Sequence, residues 1–268
     1  MRTHAELFAT PRIVREDLPG GGMILRSKVP LPPLPRSTGV WLARWAAEAP
    51  ERGFLAERDG AGGWRRVSYR EAYRDARAIG QALVDRGLGA ARPLMILSEN
   101  SIDHALLTLG ALEAGVPVVP VSTAYSLISR DYGKLKAIAD LVEPGLVYAS
   151  NGLRYALALE AIGRTRAEIA VSAEPPPGWR ITDFQMLLKN EPGAGLEDAA
   201  AAVGPDTVAK ILFTSGSTGD PKGVINTQRM LASNQESLAL IWPFLEQRPP
   251  VLVDWPPWNH TFGGNHDF

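Results

Sequence analysis

Short runs that are apolar at every position, separated by stretches of helical periodicity, set the strongest limit on how this chain can fold. Leu94-Met95-Ile96-Leu97 precedes a helical stretch from Ile102 to Glu113, and Val116 to Val121, Leu135 to Val142 and Leu146-Val147-Tyr148 follow. A strand without a polar face must be covered on both sides, and the intervening helices supply that cover. The pattern predicts an α/β fold of helices layered around a mostly parallel sheet. At 268 residues, a fold of this kind buries about 70 to 75% of the surface its unfolded chain exposes.

Around this region the punctuation of the sequence suggests three parts. Residues 1–36 are rich in proline, which favours an extended tail lying over the surface. Residues 37–205 form a first βα subdomain. It opens with a helix running from Ser37 or Thr38 past Trp41 and Trp45 to Pro50. A hairpin is expected next, Phe54 to Arg58 with Trp64 to Val67, and Ser68-Tyr69-Arg70-Glu71 reads as a capping box opening a helix that ends near Gly87. Pro175-Pro176-Pro177-Gly178 and the stretch Glu191 to Pro205 read as connections. Residues 206–268 begin a second subdomain, with a helix from Gln228 to Ile241 and a strand at Val251-Leu252-Val253.

Composition excludes several classes of function. A formal net charge of −1, with both signs spread evenly, argues against nucleic acid or an anionic membrane as the principal partner. The absence of cysteine removes disulfides, thiol nucleophiles and cysteine metal sites, and suits a reducing cytoplasm. No apolar run approaches the length of about 18 residues needed to span a membrane, so a soluble, cytoplasmic protein is expected.

The chemistry concentrates in Phe213-Thr214-Ser215-Gly216-Ser217-Thr218-Gly219-Asp220-Pro221-Lys222-Gly223-Val224. Glycines admit backbone angles closed to other residues, so successive N–H groups can turn inward as an anion-binding nest. The hydroxyls of Thr214, Ser215, Ser217 and Thr218 add donors, and Lys222 adds a mobile positive charge. The Walker loop is excluded because Lys222 follows Pro221 and the next residues, Gly223-Val224-Ile225, read as a strand. The hydrolase elbow fails because Ser215 stands where its first glycine belongs. On the residues alone, an ordinary glycine- and serine-rich hairpin loop between Ile211-Leu212-Phe213 and Val224-Ile225 stays open as the alternative.

The twelve residues resemble the phosphate-loop signature of the adenylate-forming superfamily, which contains acyl- and aryl-CoA synthetases, luciferases and peptide-synthetase adenylation domains. Pro257-Trp258-Asn259-His260-Thr261-Phe262-Gly263 follows and is similar to the Pro-x-x-His-x-x-Gly segment that lines the acyl pocket there. Near the N-terminus, Ile13-Val14-Arg15-Glu16-Asp17, Leu25-Arg26-Ser27 and Val29-Pro30-Leu31 resemble the start of feruloyl-CoA synthetases. The resemblance implies an enzyme using ATP, Mg2+ and coenzyme A on a carboxylic acid, here a hydroxycinnamate or other aryl acid. It makes Thr214, Ser215, Gly216, Ser217, Thr218, Gly219 and Lys222 the phosphate-binding set, with Lys222 orienting the β and γ phosphates. Asn259 and His260 fall to the acyl pocket, and Lys222 and His260 are the expected catalytic residues.

The superfamily's aromatic-Gly-x-Thr-Glu segment, its ribose-binding aspartate, its hinge and its C-terminal lysine segment are not found in the sequence. The resemblance therefore implies an N-terminal fragment that binds nucleotide weakly, and a noncatalytic nucleotide- or acyl-adenylate-binding module is the competing reading. Asp254, His260, His266 and Asp267 match no familiar ligand spacing, so no metal centre is expected from them. His104 reads as a capping or surface residue of its helix, and Trp255 and Trp258 as packing residues.

Overall fold

A computed structural model of the chain describes residues 7–163, 167–214 and 219–268. Its centre is a seven-stranded sheet built from β5 (Leu94–Leu97), β6 (Val118–Pro120), β7 (Leu146–Ala149), β8 (Glu168–Val171), β9 (Thr182–Asp183), β10 (Val208–Thr214) and β11 (Lys222–Thr227). The spatial order is β11-β10-β6-β5-β7-β8-β9, and every pairing is parallel except that of β10 with β11. The first strand in sequence of this parallel set, β5, is thus flanked by its two successors. Such an order places a switch point at its carboxyl end, where open α/β sheets hold their ligands.

Alternation along β5 shows why its four residues are all apolar. Leu94 and Ile96 face a core shared with helices α2 (Tyr69–Asp85) and α3 (Ile102–Glu113), while Met95 and Leu97 face the opposite core. That second core is closed by α4 (Gly133–Val142) and α5 (Ala156–Ile162), through Leu135, Ile138 and Leu159. All four side chains of β5 are fully buried. Glycine permits the closest helix contact, since a Cβ on Gly110 of α3 would lie 2.6 Å from the carbonyl oxygen of Ala76 on α2.

Smaller elements brace this frame. Helix α1 (Gly39–Glu48) precedes the antiparallel hairpin of β3 (Gly53–Arg58) and β4 (Trp64–Ser68). The capping box forms as expected: Ser68 Oγ accepts from the Glu71 N–H, and the Glu71 carboxylate accepts from the Ser68 N–H at 2.8 Å. Arg65 of β4 pairs with Asp103 of α3 at 2.7 Å, and Asp103 accepts from Ser172 Oγ, whose partner is Tyr148 Oη. The polar ends of β4, α3, β7 and β8 are joined in one partly buried network.

Three stretches differ from the sequence expectation. The proline-rich segment contains a hairpin, β1 (Ile13–Asp17) with β2 (Met23–Ser27), because Gly20 and Gly21 adopt φ of +92° and +87° and turn the chain sharply. The expected connection between Glu191 and Pro205 holds a helix, α7 (Ala194–Ala202), after the one-turn helix α6 (Phe184–Leu187). Alanine is the strongest helix former, and Gln81 Oε1 caps α7 from α2 by accepting from the N–H groups of Gly193 and Leu196. Val251-Leu252-Val253 forms no strand, since it pairs with no edge among the described residues and lies exposed.

The tail is fastened near its start, and at its end Arg36 donates to the carbonyls of Ala200 and Ala201. Ala9 N–H donates to the carbonyl of Ile241, the last residue of α8 (Gln228–Ile241), and Phe8 meets Phe244 of the short helix α9 (Phe244–Gln247) edge to face. Farther on, Thr38 donates through both N–H and hydroxyl to Gln228 Oε1 at 3.0 Å.

Candidate active site at the carboxyl end of the sheet

Strand β10 ends at Thr214 and β11 begins at Lys222, and these two residues are register partners. The segment between them is therefore held closed at its base by a β-ladder. Because β10 runs parallel to β6, this loop leaves the sheet at its carboxyl edge. Ser215, Gly216, Ser217 and Thr218 lie outside the described residues. Thr214, Gly219 and Lys222 are described and exposed, so the hydroxyl and the ammonium face solvent at the mouth of the loop. Gly219 adopts φ +107°, a conformation that β-carbon-bearing residues rarely hold.

The second motif folds back on itself at the same edge. His260 donates its N–H to the Pro257 carbonyl at 3.0 Å, and its own carbonyl accepts from the Gly264 N–H at 2.8 Å. Its ring is exposed, with Nδ1 accepting from the Phe262 N–H at 3.3 Å, which leaves Nε2 turned outward from that contact. Asn259 is half-buried beside it. The final glycine of the motif has a steric cause: a Cβ on Gly263 would stand 2.5 Å from the carbonyl oxygen of Pro256 and 2.7 Å from that of Pro257.

Beneath this loop lies a buried cluster that brings together Trp258, read from sequence as a packing residue, and His104, read as a capping or surface residue. Trp258 is 8% exposed, stacks on Phe268 at 4.2 Å and meets the His104 ring edge to face at 5.0 Å. His104 is a core residue and not a surface one. Its amide is capped by Ser101, while its side chain is 3% exposed with Nδ1 against the Glu99 carbonyl. Burial brings its pKa down to about 4, so the ring is neutral at ordinary pH. Lys210 of β10 is also buried; its ammonium donates to the Gly264 carbonyl, and burial lowers its pKa to about 8. Trp255, by contrast, is 83% exposed.

Among the described residues no three His, Asp or Glu side chains gather into a group that could hold a metal ion, and the Asp267 side chain lies outside the description. A cavity of about 340 Å³ lies elsewhere, lined by Arg92, Glu143 and Pro144 at the amino ends of β5 and β7, away from both motif loops. Among the described residues no helix is long and apolar enough to cross a membrane.

Residues 42–266 match the model of the AMP-binding enzyme family. The chain belongs to that family. It is 26% identical over 239 residues to a 3-[(3aS,4S,7aS)-7a-methyl-1,5-dioxo-octahydro-1H-inden-4-yl]propanoyl:CoA ligase of Rhodococcus jostii, covering 85% of this chain and 44% of the relative. It is 25% identical to the 4-coumarate–CoA ligase-like protein 3 of Arabidopsis thaliana, over 86% of this chain and 40% of the relative. Among solved structures, ATP-bound MatB from Rhodopseudomonas palustris superposes with a TM-score of 0.57 at 26% identity, covering 85% of this chain and 42% of that one. The chain therefore spans less than half the length of these relatives. The parallel-dominated sheet matches the N-terminal region of adenylate-forming enzymes, in agreement with the α/β class expected from the sequence.

Proposed function

We propose that the chain forms the phosphate-gripping part of an ATP-dependent acid-activating ligase. In the first step a substrate carboxylate attacks the α-phosphorus of ATP, forming acyl-AMP and expelling pyrophosphate. In the second, the thiol of coenzyme A attacks the acyl carbon, releasing AMP and passing its proton to solvent. The observation that carries this reading is the Thr214–Lys222 register pairing, which closes the base of the loop whose sequence resembles the family's phosphate signature, at the carboxyl edge of a mostly parallel sheet.

In this reading Thr214, Ser215, Gly216, Ser217, Thr218 and Gly219 cradle the triphosphate, and Lys222 neutralises charge on the β and γ phosphates. His260 and Asn259 take the carboxylate side, where a neutral imidazole can orient an anion by hydrogen bonding. A hydroxycinnamate or other aryl acid is the proposed substrate. The resemblance of the N-terminal segments to feruloyl-CoA synthetases supports that choice, as does the similarity to a 4-coumarate–CoA ligase-like protein.

The test is acid-dependent exchange of pyrophosphate into ATP by the polypeptide that carries these residues, across cinnamic, benzoic and fatty acids. Lys222→Ala is expected to slow exchange by about two orders of magnitude, the effect of removing one positioned charge-stabilising donor, about 3 kcal/mol. Exchange at the parental rate in that variant removes Lys222 from the chemistry. Nucleotide binding without exchange for any acid favours the noncatalytic module.

A further inference from the structure

The carboxamide of Asn100 makes two hydrogen bonds to a segment more than 150 residues away in sequence. Nδ2 donates to the Pro256 carbonyl at 2.9 Å, and Oδ1 accepts from the Trp258 N–H at 3.1 Å. We infer that Asn100 is a positioning residue, which fixes the register of the loop carrying His260 and so sets how the substrate carboxylate is received. This rests on the function proposed above for His260.

One side chain here does the work of a neighbouring strand, engaging an acceptor and a donor two residues apart. The need for it follows from the sequence, because Pro256 and Pro257 have no N–H and cannot be held by a conventional ladder. Trp258 supplies the first backbone donor after them, and Asn100 takes it. Asn100 is itself well placed to serve as a reference point. It lies three residues past the end of β5 and precedes Ser101, the N-cap of α3, and the residue after that cap, Ile102, donates its N–H to Glu57 at 2.8 Å. The far end of the loop is held separately, by Lys210 on the Gly264 carbonyl and by Asn234 and Gln235 on the Asn265 carbonyl. His260 lies between these fastenings, two residues past the Asn100 contact. The packing of Trp258 on His104 does not involve the carboxamide, so loss of Asn100 is expected to leave the loop docked but out of register.

Two measurements test this. In the first, amide hydrogen exchange is followed in the chain and in Asn100→Leu and Asn100→Asp. Asn100→Leu is expected to accelerate exchange at Trp258 and His260 at least tenfold, while β5 and α2 keep their protection. Asn100→Asp, which keeps the acceptor for Trp258, is expected to restore part of it. Unchanged exchange at Trp258 and His260 in Asn100→Leu overturns the inference. In the second, the polypeptide carrying these residues is assayed by pyrophosphate exchange. Asn100→Leu is expected to raise KM for the acid about tenfold, the order expected from two hydrogen bonds, with KM for ATP within about twofold of the parent. Equal losses for acid and ATP, or none, overturn the positioning role even where exchange has changed. A parent protein that activates no acid defeats the functional reading, and hydrogen exchange then still decides whether Asn100 holds the loop.

Discussion

Replacing Lys210 with methionine tests the electrostatics beneath the His260 loop. Among the described residues no carboxylate pairs with Lys210; its ammonium donates to the Gly264 carbonyl and lies 5.4 Å from the centre of the Phe268 ring. Burial brings its pKa from 10.5 to about 8. Over that interval the unfolded chain holds a proton on Lys210 that the folded chain has released. Stability therefore rises with pH: the penalty of the buried charge is complete below about pH 8 and is relieved as pH climbs toward 10.5. The full penalty is about 3 kcal/mol at 1.36 kcal/mol for each pH unit, and about 2 kcal/mol of it is relieved between pH 7 and 9.5. His104, whose ring feels the Lys210 charge, has a pKa of about 4 and stays neutral across this window. Tyr69, Tyr148 and Tyr155 are all raised by burial, so in the folded chain they titrate above it, and they are common to both proteins. Urea denaturation of the parent and of Lys210→Met at both pH values gives the difference directly. Methionine also forfeits the bond to Gly264, so the informative quantity is the change in that difference with pH and not its value at one pH. The parent is expected to gain about 2 kcal/mol on Lys210→Met between pH 7 and 9.5. Parallel pH profiles for the two proteins show that no buried ammonium is being relieved, and the electrostatic reasoning then fails.

Two further substitutions probe the frame on which the site stands. Ser68→Ala removes the acceptor for the Glu71 N–H and one side of the capping box; it is expected to lower stability by about 1 kcal/mol, measured as a shift in denaturation midpoint without a change in slope. Gly110→Ala places a Cβ 2.6 Å from the Ala76 carbonyl and 2.8 Å from Ile79 Cγ2, forcing α2 and α3 apart; a loss of about 1 to 3 kcal/mol is expected in the same assay, and an unchanged midpoint refutes the close packing.

The central sheet was legible because its strands carry their burial in their own residues. Leu94 to Leu97 and Leu146 to Tyr148 are apolar on both faces, which is a local statement of a two-sided core. The capping box at Ser68 and Glu71 was legible for the same reason, both partners lying within one turn. Helix α7 was not, because the polar and proline residues flanking its alanines read as linker, and the cap that starts it comes from Gln81 on another helix. The strand expected at Val251-Leu252-Val253 failed for the complementary reason. β-propensity is realised only where an edge is available for pairing, and among the described residues none meets that segment.

At the site, sequence named the residues of two motifs but not what holds them. Thr214, Lys222 and His260 stand in recognisable strings, whereas Asn100 sits in Ser98-Glu99-Asn100-Ser101, which reads as any polar loop after a strand. Nothing local shows that its carboxamide meets Pro256 and Trp258. Lys210 did leave a trace, as the one charge within Val208-Ala209-Lys210-Ile211-Leu212, and a charge in an apolar strand signals a specific buried partner. That partner proves to be the backbone of the His260 segment, at Gly264. Strand β10 therefore touches both motifs, holding the end of one through Lys210 and opening the other at Thr214, four residues along. A strand rises about 3.3 Å per residue, so roughly 13 Å of a strand paired with β11 along that length, and with β6 at Lys210, separates the two attachments. The loop between Thr214 and Lys222 and the His260 loop thus share a common base in β10, and the spacing between their attachments is set by the sheet.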